Sequence, residues 1–105
     1  MMIRKADVFM HDMHVGVLEE IKPRSAYRFI YDTAYDGPPV SLTAPVRNEP
    51  YEYDTFPPFL EGLLPEGYNL EALLRALKID RNDHFSQLIA VGRDMVGAVT
   101  VREAQ

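Results

Sequence analysis

Ser25–Asp32 reads SAYRFIYD, with Tyr27, Phe29 and Tyr31 on one side of an extended chain and Ala26, Arg28 and Ile30 on the other. A period of two with three aromatic side chains in step predicts a strand with one face against a core. Such a strand needs neighbours to pair with and a layer to cover its apolar side.

Towards the N-terminus, Ala6 to Glu20 predicts a hairpin. Val8 and Met10 precede a polar break at His11-Asp12-Met13-His14, and Val15, Val17 and Ile21 follow it at the same alternation. The break lacks the Asn-Gly or Asp-Gly pair that best specifies a tight turn, so its register is left open. Pro23 separates this hairpin from the aromatic strand. Towards the C-terminus, Asp36-Gly37-Pro38-Pro39 is a turn by composition, and Val40 to Val46 (VSLTAPV) alternates again. It predicts a fourth strand near a sheet edge, because Pro45 has no amide to donate. A polar loop, RNEPYEYDT, follows.

At Phe56 the apolar period changes from two to that of a helix. Pro58 suits a first helical turn, where its missing donor costs nothing, and Phe59, Leu60, Leu63 and Leu64 follow until Pro65 stops the element. Asn69 caps a second helix carrying Leu70, Leu73, Leu74 and Leu77 as one stripe. Asp83 caps a third, with Phe85, Leu88 and Ile89 inward and Gly92 as a left-handed terminator. Met95 to Val101 (MVGAVTV) closes the chain as a strand. Strands, then helices, then one strand predict an α+β fold: a single small domain over 1–105, mainly antiparallel sheet with about three short helices packed on one face.

The 105 residues include 16 acidic and 11 basic side chains, for a formal charge of −5. A chain of this size buries about two-thirds of its surface, enough for one core, and 47% hydrophobic residues can fill it. Zero cysteines exclude disulfides, thiolate metal sites and cysteine nucleophiles, and fit a cytoplasmic location. The basic residues are dispersed, which argues against direct nucleic-acid contact. No apolar run approaches the ~20 residues of a membrane span or has the layout of a signal peptide.

Signals for chemistry are few. His11 and His14 would flank a two-residue turn as cross-strand neighbours, but two ligands do not make a zinc site, and His84 is distant in sequence. Glu19 and Glu20 point to opposite faces of a strand and cannot share a proton. Glu66 and Asp94 lie in glycine-containing turns, where solvated or capping carboxylates are the rule. No GxSxG, HExxH, Walker or GxGxxG pattern is present. The expectation is a protein that is not an enzyme, with no catalytic residues, metal, cofactor or small-molecule substrate. More distinctive is Leu63-Leu64-Pro65-Glu66-Gly67-Tyr68. Pro65 and Gly67 reverse the chain between two helices and push Glu66 and Tyr68 outward on a stiff loop. It is either a contact point or a plain helix–helix turn with Tyr68 folded back on the core.

The run from Phe56 to Val101, with PPFLEGLLPEG and then LIAVGRDMVGAVTV, resembles the N-terminal subdomain of HipA-type serine/threonine kinases, the toxins of bacterial persistence modules. Val15-Gly16-Val17-Leu18, Tyr27-Arg28-Phe29-Ile30-Tyr31-Asp32 and Val40-Ser41-Leu42-Thr43 ahead of Pro45 agree with it. Kinases of that family continue for hundreds of residues with a phosphate-binding loop and catalytic aspartate; this chain ends at Gln105. The start MMIRKADV and the end REAQ favour a separate gene product, like the free-standing HipS-type antitoxins of three-gene systems. The resemblance then implies binding in trans to a truncated HipA-like kinase (HipT), inhibition of that kinase, and a ternary complex with the DNA-binding HipB. Leu64, Pro65, Glu66 and Tyr68 are the partner-binding candidates, with Phe59 and Leu63 supporting the turn from beneath. Gly92 and Gly97 would answer backbone demands, and Asp94 would order its turn. A non-neutralising scaffold bridging kinase and HipB, and an excised subdomain of a full-length kinase, are the alternatives.

Overall fold

A computed structural model describes residues 3–92 and 99–104. The strands are β1 (Arg4–Met10), β2 (Met13–Lys22), β3 (Ala26–Tyr31), β4 (Tyr51–Tyr53) and β5 (Val99–Glu103). The helices α1 (Pro58–Glu61), α2 (Gly67–Leu77) and α3 (His84–Val91) lie between β4 and β5 in the chain. All five strands pair antiparallel, in the order β4-β3-β2-β1-β5. The fold is therefore α+β, as the change of period at Phe56 predicts.

The β1–β2 hairpin turns on His11 and Asp12, both with positive φ (51° and 66°), and Met10 pairs with Met13. Two consecutive left-handed residues twist the chain as a hairpin requires, and His and Asp tolerate that region better than most residues. This corrects the expected register: His11 lies in the turn, and the cross-strand partner of His14 is Phe9. A bulge at Val15 follows, since Val8 pairs with Gly16 and Phe9 with His14.

One face of the sheet carries Ala6, Val8, Leu18, Tyr27, Phe29, Tyr31 and Val101, all buried, and Leu60 of α1 with Phe85 and Leu88 of α3 complete the core. Phe29 anchors it, meeting Tyr31 and Phe59 edge-on with ring centroids 4.9 and 5.4 Å apart. Asp83 caps α3 by accepting from the Ser86 amide, as its position predicts.

Four elements differ from expectation. The segment from Val40 to Val46 is not a strand: it forms only a Ser41–Ala44 bridge, and the place beside β3 belongs to Tyr51–Tyr53. Tyr51 and Tyr53 pack their rings against the core, so three residues from the supposed polar loop outcompete a segment containing Pro45. Helix α1 is a single turn, extended through Leu64 by i+3 bonds from Leu63 to Leu60 and from Leu64 to Glu61. Helix α2 starts at Gly67 with Glu66 as its N-cap, ahead of Asn69, and buries none of its residues. Gly92 is right-handed (φ −58°) and not a left-handed terminator. Its requirement is space, since a Cβ there would lie 2.2 Å from the Val101 carbonyl oxygen. The expected start of the last strand, Met95–Ala98, and the residues Asp94 and Gly97 lie outside the described residues.

Candidate functional site

The turn between α1 and α2 is built from beneath by Phe59 and Leu63, both packed against the core cluster. Leu64 is 8% exposed and belongs to that core. It supports the turn from within and leaves little surface of its own. Pro65 is half-buried, Glu66 is exposed, and Tyr68 stands 95% exposed on the first turn of α2. Tyr68 is therefore not folded back on the core. Gly67 has φ +58°, a conformation that L side chains avoid, and it aims Glu66 and Tyr68 away from the body. Across this turn, Glu71 of α2 is ion-paired with Arg81, fixing the helix to the loop before α3.

The open face of the sheet has the opposite character. Lys5, Glu19, Arg28 and Glu52 stand directly opposite one another across four strands, with closest approaches of 3.4, 3.7 and 3.6 Å. Alternating charges in register satisfy one another, as on a solvated sheet face. Beside this ladder, His14 bridges three strands: Nε2 is 2.9 Å from Asp7 on β1, and Nδ1 is 3.0 Å from Asp32 at the end of β3. Burial disfavours the charged ring, but hydrogen bonds and charge from Asp32 and Asp7 outweigh it, holding the His14 pKa above its ordinary value. The Ala34 amide and the His14 ring hold Asp32 below the usual carboxylate range. With a carboxylate at each ring nitrogen, only the doubly protonated ring donates to both.

A second polar cluster joins β1 to α3. Arg4 donates to Glu20 (2.7 Å), to Asp83 (2.9 Å) and to the Ser86 hydroxyl (2.8 Å), which in turn donates to Asp83. Glu20 is buried on the core side and Glu19 lies on the open face, so the two carboxylates do point apart. Burial and the neighbouring Glu20 push the Tyr27 hydroxyl up to about 12. Among the described residues no group of three His, Asp or Glu side chains is placed to hold a metal; His84 lies against the Phe56 ring, far in the fold from the hairpin turn. Asp7 and Asp32 went unnoticed in the sequence because only the bulged register of the hairpin brings them to His14.

A five-stranded antiparallel sheet with helices on one face, a self-neutralised opposite face and an outward-aimed turn define a small α+β domain. The family model of the HipA N-terminal domain matches residues 6–102, and the chain belongs to that family. An uncharacterised protein of Haemophilus influenzae strain Rd is 32% identical over 102 residues, covering 97% of this chain and 94% of its own length. A solved structure of the N-terminal domain of HipA toxin superposes with a TM-score of 0.78 at 31% identity, covering 100% of this chain and 96% of that one. No helix among the described residues is long and apolar enough to cross a membrane.

Proposed function

We propose that this protein is the antitoxin of a tripartite toxin–antitoxin system, and that it binds a HipA-like serine/threonine kinase toxin in trans and inhibits it. The observation that carries this reading is the end-to-end match to the N-terminal domain of HipA toxin together with the Haemophilus relative, in which the same domain makes up nearly a whole protein. A domain that is fused to a kinase in one setting and separate in another has its natural docking surface on that kinase. On this reading the protein is not itself an enzyme, works in the cytoplasm without a cofactor, touches no nucleic acid, and joins a HipB-type DNA-binding protein only through the complex.

The α1–α2 turn supplies part of the contact. Pro65, Glu66 and Tyr68 project from a stiff support, so little conformational entropy is lost when they are buried. The charge ladder on the open sheet face is already satisfied internally and gains less from a partner.

Co-expression tests the proposal: an inducible HipA-family kinase from the same genome, with and without this chain, followed by co-purification. Restored growth with a stable complex supports the antitoxin role. Binding without rescue assigns a scaffold or co-repressor, and absence of binding refutes the proposal. Within a rescuing complex, Glu66→Lys with Tyr68→Ala is expected to weaken both binding and rescue.

A further inference from the structure

Residues 37–46 (GPPVSLTAPV) carry no ionisable side chain in a protein whose residues are 26% charged. The segment is a knob held by tyrosines. The Tyr31 hydroxyl accepts from the Val40 amide (3.1 Å) and donates to the Ala44 carbonyl (2.5 Å), so one side chain closes both ends of residues 40–44. Tyr35 donates to the Pro38 carbonyl at 2.5 Å and Tyr51 to the Pro45 carbonyl at 2.6 Å. Arg47 stacks 3.7 Å over the Tyr51 ring and donates to the carbonyls of Glu49 and Pro50, which fixes the outgoing chain. At the tip, Ser41 Oγ accepts from the Thr43 amide and the Ala44 amide donates to the Ser41 carbonyl.

These restraints produce a sharp contrast over two residues. Ala44 is fully buried, whereas Leu42 is 95% exposed. Pro38, Pro39, Pro45 and Val46 are exposed around it. Three prolines, three tyrosine clamps and a side-chain-capped turn leave the backbone little freedom to lose on binding, and Leu42 presents its whole apolar surface.

We infer that this knob is a second anchor for the kinase partner, with Leu42 entering an apolar, uncharged cleft on it. The inference rests on the proposed function for the identity of the partner. Its chemistry follows from the knob: a charged pocket wall facing a segment without any charge would be desolvated with no compensation, so only a neutral cleft fits.

The test measures affinity of the purified kinase for wild type, Leu42→Asp and Leu42→Met, with thermal unfolding of each variant alone. Because Leu42 is solvated in the free protein, both variants should unfold within a few degrees of wild type. Leu42→Asp should bind at least about tenfold more weakly, as for loss of an interface anchor, while the similarly sized apolar Met stays within about threefold. Leu42→Asp binding as tightly as wild type overturns the knob and leaves the proposed function standing. Failure of wild type to bind the kinase overturns both.

Discussion

Replacing Gly92 by alanine separates two accounts of why a glycine follows α3. If the position were a left-handed helix terminator, alanine would cost about 1 kcal/mol and asparagine would be partly tolerated. Gly92 instead has helical φ, where alanine is intrinsically favoured over glycine by up to about 1 kcal/mol. Against that gain stands a collision: the new Cβ would lie 2.2 Å from the Val101 carbonyl oxygen and 2.9 Å from its carbon, where ordinary contact is 3.4–4 Å. The obstacle is backbone of β5, which cannot rotate aside as a side chain would. Relief therefore requires α3 and β5 to separate by about 1 Å, and overpacking of that kind costs about 3 kcal/mol. The collision wins by about 2 kcal/mol, which for a domain of this size lowers Tm by about 10 °C. Thermal unfolding followed by circular dichroism, with urea midpoints as a second measure, reads the effect. Asparagine should be no better than alanine. An alanine variant melting within about 2 °C of wild type, or an asparagine variant more stable than the alanine one, refutes the close-approach account.

Two further outcomes concern the charged clusters. Because the folded-state pKa of His14 is raised by Asp32 and Asp7, its stabilisation is present below the unfolded value of about 6.5 and is lost as pH rises through the folded value. The lowered pKa of Asp32 acts on the other side, with stabilisation present at neutral pH and lost as acid protonates it in the fold. Urea midpoints should thus decline above about pH 6.5, and His14→Gln should flatten that alkaline slope while preserving a hydrogen-bonding side chain; an unchanged slope would show that the bridge does not form in solution. Arg4→Ala leaves Glu20, 3% exposed, without its main partner. The expected loss is about 2 kcal/mol, less than for a fully buried pair because the Arg4 guanidinium is partly solvated, and Arg4→Met with Glu20→Leu should recover most of it; a double variant as unstable as Arg4→Ala would argue against an unpaired carboxylate as the cause.

The docking surfaces proposed for this domain differ in how visible they were in the chain. Pro65, Glu66, Gly67 and Tyr68 stand next to one another, and the stiffness of Pro-x-Gly is a local property, so the reversal of the chain there could be anticipated, though not that Tyr68 would stand clear of the core. Its buried support could not be told from its exposed tip: Leu64 and Tyr68 are four residues apart, yet one is in the core and the other in water. Leu42 was hidden for a different reason. Alternation in VSLTAPV favours an extended chain, and nothing local announces that the hydroxyl of Tyr31 will take up the Val40 amide and the Ala44 carbonyl.

Residue order alone determined the α+β class, the aromatic strand from Tyr27 to Tyr31, the start of the helices at Pro58, and the Asp83 cap of α3. Each rests on periods or on contacts between residues a few positions apart, which are written into the chain directly. Tertiary structure decided which segment pairs with β3, which nitrogen of His14 meets which carboxylate, why position 92 must be glycine, and where Leu42 points. Those outcomes depend on competition between distant segments for the same sheet edge and the same buried volume. Tyr51–Tyr53 takes the edge because its two rings join the core, while a neighbouring proline-containing segment is displaced and left as a rigid projection into solvent.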